Sequence, residues 1–410
     1  MKTRYLQLAA FLLTIALAGC GGGSGGGGSA GTGVKLTGLS LDTANTTDLH
    51  YMGDLWPSTW ASDDRLYMAF GDGTGMKNCV PNYPGKVTGN EPGVVVSWAT
   101  NGSATTAGCP VGQWKPGLTV PTGAGFYNDF CDHNDCSKCY EICRFTPNGL
   151  IALSGTPPTF QDCTGTDQCV VYRDLPVDPV EAGSTWVKTS SIIAIGSRLI
   201  LAAHYPAGTV TDGYLAYSDD FGVKWTKVTG SPWTDTNNSH FKVLVFIQMG
   251  KAYGDNTDGY LYALGMDHEL NQNNLTRMDV YLARVPKDKA TDYTAYQYYS
   301  AAGPVWSNNQ ADAIPVPGLS TYAQSSAMYH SKLKKYLFFS GLTDMTAGGE
   351  GAVFAADNPW GPWSQVGTFP GNFIGSIIPK GIGTDSVYFT AAGSTFPYTL
   401  NLIKMTFKTG

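Results

Sequence analysis

One pattern recurs five times along this chain and limits its fold more than any other feature. An apolar strand, a short polar turn and a second strand rich in Tyr, Leu and Ala appear at "YMGDLWPSTWASDDRLYMAFG" (51–71), "WVKTSSIIAIGSRLILAAH" (186–204), "FKVLVFIQMGKAYGDNTDGYLYALG" (241–265), "TYAQSSAMYHSKLKKYLFFSG" (321–341) and "NFIGSIIPKGIGTDSVYFTAAG" (372–393). Their second strands align as "DRLYMAFG", "SRLILAAH", "GYLYALG", "KKYLFFSG" and "DSVYFTAAG". Repeats at a spacing of roughly 40 to 60 residues, each a small antiparallel sheet, are the signature of propeller blades. Third strands follow at 213–228, 278–286, 351–366 and 399–408, and "VKLTGLSL" (34–41) can supply an outer strand that closes the last blade. With 51 Gly, 23 Tyr and 10 Trp but only 14% charged residues, the composition suits short strands and tight turns better than amphipathic helices. The expectation is an all-β, five-bladed β-propeller over 34–410 with little helix. Residues 106–182 break the rhythm and read as a cysteine-rich insertion of loops on one rim.

The first twenty residues, "MKTRYLQLAAFLLTIALAGC", join Lys2 and Arg4 to an apolar run from Leu8 to Ala18, too short for a membrane span. This is the pattern of an export signal. Its end, Leu17-Ala18-Gly19-Cys20, resembles a bacterial lipobox, in which the cysteine becomes the lipidated first residue. The stretch "GGGSGGGGSAGTG" (21–33) then behaves as a flexible leash. A lipoprotein anchored at the cell surface or outer membrane is expected, since Gly21 lacks the aspartate that commonly retains lipoproteins in the inner membrane. The net charge of −6 argues against nucleic-acid partners.

Eight of the nine cysteines remain after Cys20, namely Cys79, Cys109, Cys131, Cys136, Cys139, Cys143, Cys163 and Cys169. The opening C-x4-C-x2-C of "CDHNDCSKCYEIC" matches three ligands of a plant-type iron–sulfur centre, but the fourth cysteine lies too close. His133 also makes a zinc site thinkable. An exported chain meets an oxidising environment, which favours a disulfide framework of open connectivity and no metal.

Candidate chemistry concentrates in the first repeat. Asp54 falls in its inner strand and Asp72 at the end of the next, followed by Gly73. Two carboxylates brought to one cleft are what glycoside hydrolysis needs. Asp and Gly also dominate ordinary turns, so "GDL" and "GDG" have a purely local explanation as well. Trp56 and Trp60 flank Asp54 and offer aromatic faces for sugar, although alternation along a strand sends at least one of them into blade packing. His204, at the end of the second repeat, and Gln324, in the fourth, are further candidates for substrate contact, with His330 a weaker one. Asp267, His268 and Glu269 in "GMDHEL" can supply another acid, of which Asp267 is the leading choice. Ser218-x-Asp220-x-Gly222-x-Lys224-Trp225 resembles the Asp-box turn of sialidase-type propellers, a structural hairpin. "DNTDG" (255–259) lacks the order of a calcium loop and reads as a turn.

The first repeat, "VYLARVP" (280–286), "SAMYHSKLKKYLFF" (326–339) and "DNPWGPWS" (357–364) together resemble a bacterial family long called domain of unknown function 4185. Its characterised members form glycoside hydrolase family 183, endo-D-arabinanases built on a five-bladed propeller. The resemblance runs over about residues 45–368 and implies that Asp54 and Asp72 take the places of the family's catalytic aspartates. The cysteine-rich insertion is a departure from the family. A sialidase is disfavoured, because the seven arginines show no motif for a three-arginine carboxylate clamp. The expectation is a monomeric, cofactor-free glycoside hydrolase acting on an extracellular polysaccharide. The rival is a non-catalytic glycan-binding or scaffold lipoprotein on the same propeller.

Overall fold

Strand pairing follows the repeats. The computed structural model describes residues 34–73, 129–132, 135–141, 146–160, 169–173, 187–205, 212–222, 225–268, 277–322, 325–340, 350–370, 375–391 and 399–410, all within one compact unit, Val34–Gly410. Helix among them is limited to four three-residue 3-10 segments.

Five antiparallel meanders carry most of the described chain, with three two-stranded sheets beside them. The first joins Ser58–Trp60, Leu66–Gly73, Thr146–Leu153 and Cys169–Arg173; the second joins Lys188–Ile195, Arg198–His204, Gly213–Ser218 and Thr226–Lys227. The third runs from Val243–Gln248 through Tyr260–Met266 and Tyr281–Pro286 to Gln297–Ala301, with Val305–Ser307 at its edge. The fourth comprises Ser326–His330, Lys335–Ser340, Glu350–Ala356 and Ser364–Pro370. In the fifth, Ile377–Ile378, Ser386–Ala391 and Thr399–Thr409 are completed by Leu36–Met52 from the other end of the unit, which pairs with Thr399–Thr409. The outer strand expected from "VKLTGLSL" therefore forms.

The loop reading of 106–182 needs correction. Thr146–Leu153 and Cys169–Arg173 lie inside that span yet form the third and fourth strands of the first meander, in register with Leu66–Gly73 and with each other. The apolar run "LIAL" at 150–153 is fully buried there. It fills the place that the repeat pattern had left empty.

Contacts between the innermost strands arrange the meanders in a ring. Thr59 Oγ1 accepts from the Ala194 amide at 2.9 Å, Ser191 Oγ from the Phe246 amide at 3.0 Å, and Ser326 Oγ from the Ile377 amide at 3.0 Å. Ile247 and Gln248 pair directly, and parallel, with Ala327 and Met328. Ser58 Oγ donates to the Ile377 carbonyl at 3.2 Å, which returns the ring to the first meander. Inner strands have no outer neighbour on the axial side, so hydroxyls satisfy amides that a flat sheet would pair through backbone alone. The fold is a β-propeller.

Packing uses both faces of each meander. Along Leu66–Gly73, Tyr67 and Ala69 pack with Ile192, Ala194, Leu199 and Leu201 of the second meander. The alternate residues Leu66, Met68 and Phe70 pack with Ile378, Leu400 and Leu402 of the fifth. Period-two alternation with both faces buried explains why these strands read as nearly continuous apolar runs. The Asp-box turn is built as expected: Ser218 Oγ accepts from the Gly222 amide at 2.7 Å and donates to Asp220 Oδ1 at 2.7 Å.

Candidate active site

Because neighbouring inner strands run the same way, their N-terminal ends meet at one end of the axis, and the second strands finish there too. Asp54, Lys188, Lys242 and Ser376 precede or open inner strands at this rim, while Asp72, His204 and Asp267 end or follow second strands. Four of the residues singled out in the sequence, Asp54, Asp72, His204 and Asp267, thus share one end of the ring by their backbone positions.

Asp54 is held by its backbone. It exchanges two hydrogen bonds with Gly71, at 2.9 and 3.0 Å, as an isolated bridge ahead of the regular inner strand. The residue is 3% exposed. Asp72 follows Gly71 directly in the second strand, so positions 54 and 72 lie on neighbouring strands one residue out of step. The Asp72 side chain lies outside the described part of the structure. Two features shape the chain around Asp54. A Cβ on Gly53 would stand 3.0 Å from ring carbons of both Phe70 and Trp56, close enough that the rings would have to give, and its φ of 155° is one that side-chain-bearing residues rarely adopt. Leu55 and Trp56 then adopt φ of 66° and 49° in succession. Left-handed backbone costs a non-glycine residue about 1–3 kcal/mol, and such strain gathers where function demands a particular geometry. The bend is tied down by Ser376 Oγ, which donates to the Leu55 carbonyl at 2.9 Å.

Trp56 is not a sugar platform. It is wholly buried, its ring 5.3 Å from Phe70, and its Nε1 donates to the Gly53 carbonyl at 3.0 Å. It packs with Ile378, Leu400 and Leu402 of the fifth meander, so Trp56 is the one of the two tryptophans that alternation sends into blade packing. Trp60 lies at the opposite rim, donating to Asp64. His330 is also at that far rim, at the C-terminal end of its inner strand, buried between the Ser386 carbonyl and the Leu333 amide. Burial there holds its imidazole below the usual histidine range. His204 does reach the candidate rim, fully buried and in register with Lys188 and Gly213. Gln324, Glu269, Cys20, Cys79, Cys109, Cys143 and Cys163 lie outside the described residues, as do the side chains of Cys131, Cys136, Cys139 and Cys169.

Asp267 brings in a residue that the sequence reading missed. His240 Nδ1 lies 2.8 Å from Asp267 Oδ1, and the His240 ring stacks on Tyr281 at 3.9 Å and 3°. Burial works to raise the Asp267 carboxyl, but the hydrogen bond and charge of His240, with Lys242 and His268 nearby, hold it below the ordinary value. Beside it, Lys242 Nζ meets Asp235 Oδ1 at 2.6 Å. His240 and Lys242 open the third repeat at the place that Asp54 occupies in the first. Aligning the repeats on the starts of their inner strands, rather than on their second strands, would have found them.

The sequence model of the family described as "Domain of unknown function (DUF4185)" matches residues 181–401, more than half of the chain, and the chain belongs to that family. The segment with Asp54 and Asp72 precedes the matched span. No curated protein matches the chain by sequence. Among solved structures, a sialidase from Trypanosoma rangeli is similar at 14% identity and a TM-score of 0.40, covering 85% of this chain and 44% of its own. This chain therefore spans less than half the length of that sialidase. The GH43_1 enzyme from Xanthomonas citri, complexed with xylotriose, is 10% identical with a TM-score of 0.44, at 88% and 89% coverage. An α-L-arabinofuranosidase from Podospora anserina is 10% identical with a TM-score of 0.39, at 86% and 98% coverage.

Proposed function

We propose that this protein is a glycoside hydrolase that cuts an extracellular polysaccharide, with Asp54 and Asp72 as its carboxylate pair. The observation that carries this reading is the setting of Asp54. It is a buried carboxylate at the axial end of the first meander, followed at once by two strained residues. In the reaction one carboxyl protonates the departing glycosidic oxygen, while the other activates water or attacks the anomeric carbon. A D-arabinan is the substrate to which the resemblance to glycoside hydrolase family 183 points. A lipid on Cys20 and the leash over 21–33 suit such a role, because a polysaccharide too large to enter the cell has to be met outside it.

The test is incubation of the full-length protein, in detergent, with a polysaccharide panel that includes D-arabinan, read out by new reducing ends. Release from one member supports hydrolysis and identifies the sugar. Binding of a panel member with no new reducing ends would replace this reading with that of a glycan-binding lipoprotein.

A further inference from the structure

His240 is presented in a way that packing alone does not require. Its backbone is clamped: a Cβ on Gly265 would stand 2.7 Å from the His240 carbonyl oxygen and 2.3 Å from the Phe241 ring, so glycine there admits the close approach. Phe241 is completely buried, and its amide donates to Ser239 Oγ at 3.1 Å. The imidazole is then fixed twice more, by the stack on Tyr281 and by the 2.8 Å contact with Asp267. Yet the side chain remains 36% exposed. One ring face covers Tyr281 and Nδ1 meets a carboxylate, which leaves the other face and the Nε2 edge for solvent.

The chemistry of that edge follows from its partner. An ionised Asp267 accepts only, so Nδ1 carries the hydrogen on that side and Nε2 is the ring nitrogen left at the open edge to meet a polar ligand. Three constraints on one exposed imidazole amount to pre-organisation, which lowers the ordering cost of any ligand that meets it. On the same rim as Asp54, the ligand class that offers closely spaced hydroxyl donors is a saccharide.

We propose that His240, oriented by Asp267 and Tyr281, is a glycan-positioning residue whose Nε2 shares a hydrogen bond with a sugar hydroxyl. This rests on the hydrolase reading above. His240 holds the chain across the rim and takes no part in bond cleavage, so its loss weakens binding and leaves the chemical step in place.

The experiment measures affinity and turnover separately on the panel polysaccharide that the wild type cleaves. In an Asp54→Asn background, affinity electrophoresis of the full-length protein compares His240, His240→Ala, His240→Asn and His240→Gln. His240→Asn keeps a group able to meet Asp267 but lacks the outer nitrogen, whereas His240→Gln can place an amide near the Nε2 position. The expected result is about fivefold weaker binding for Ala and for Asn, the size of one neutral hydrogen bond, with recovery in Gln. In the otherwise wild-type enzyme, His240→Ala raises KM by a similar factor with kcat within about twofold, the pattern of lost uniform binding. Equal affinity of the Ala and Asn variants with their parent overturns the proposal and leaves the hydrolase reading intact. A wild type that neither cleaves nor binds any panel member defeats the hydrolase reading, and this proposal with it.

Discussion

Asp64 offers a quantitative test of how the ring is held together. It occupies the first turn of the first meander, at the rim opposite Asp54, with φ of 69°. Its carboxylate receives Trp60 Nε1 at 2.9 Å, Lys251 Nζ at 3.0 Å and Lys380 Nζ at 3.3 Å. Lys380 Nζ donates to the Asp64 carbonyl as well. Lys251 follows the inner strand of the third meander and Lys380 that of the fifth, so one side chain ties three meanders. The hydrogen bond from Lys251 is the main cause that lowers its carboxyl to about 2; desolvation opposes it, and Trp60 and Lys380 add to it. The Asp64 side chain is 60% exposed, so water and salt screen these pairs to about 0.2–1 kcal/mol each. Lys380 is only 4% exposed, and removing its partner leaves a buried ammonium held by one carbonyl. Replacing Asp64 by Asn is therefore predicted to cost about 1–2 kcal/mol at pH 7. The pH dependence has a definite sign. A carboxyl whose pKa is depressed by folding contributes fully above its unfolded value and loses that contribution as pH falls through its folded one, here between roughly pH 5 and pH 2. Urea unfolding of both proteins across that range gives the answer, with the midpoints separated at pH 7 and converging towards pH 2. Coincident midpoints at pH 7, or a gap of unchanged size at pH 2, would refute the reasoning.

Three further outcomes follow from the structure and the sequence. Trp56→Ala removes a fully buried ring against Phe70 and should lower stability by about 3–5 kcal/mol in urea unfolding; a loss below about 1 kcal/mol would contradict its place in the core. Ser218→Ala deletes the acceptor of the Gly222 amide and should cost about 1–2 kcal/mol while leaving hydrolysis unchanged, which separates a structural turn from a site. Cys20→Ser should move the protein from the membrane fraction to the soluble one without lowering its melting temperature, and continued sedimentation with membranes would count against the lipid anchor.

The fold was legible where the chain obeys a simple period. Leu66, Met68 and Phe70 alternate with Tyr67 and Ala69 between two apolar neighbours, and polar turns such as Asp63–Asp64 punctuate the repeats, so strand order could be read directly. Legibility failed in two physical circumstances. Strands in Thr146–Leu153 and Cys169–Arg173 were hidden because long intervening segments separate them from their partners, and cysteine richness drew attention to loops. Trp56 was a substrate candidate because an aromatic ring beside a carboxylate suits sugar, and sequence could not say which of Trp56 and Trp60 takes the packing role that alternation requires of at least one. The rim was half legible. Asp54, His204 and Asp267 stand out as polar residues at strand ends, whereas His240 shows in sequence only when the repeats are aligned on their inner-strand starts, and its fixing by Asp267 and Tyr281 only in the fold. Thr59, Ser191 and Ser326 were visible as hydroxyls within inner strands, but their amide partners lie in the next meander and leave no trace in local sequence.

The proposed roles of Asp54 and Asp72 in hydrolysis are tested by the initial rate of reducing-end release by the Asp54→Asn and Asp72→Asn variants. Asn keeps the shape of the carboxylate and cannot exchange its proton, so each variant should retain the wild-type melting temperature and glycan affinity. Each should lose roughly 10²- to 10⁴-fold in rate, the worth of one acid, base or nucleophile role. A folded variant of either residue that cleaves the glycan within about tenfold of the wild-type rate would contradict the account.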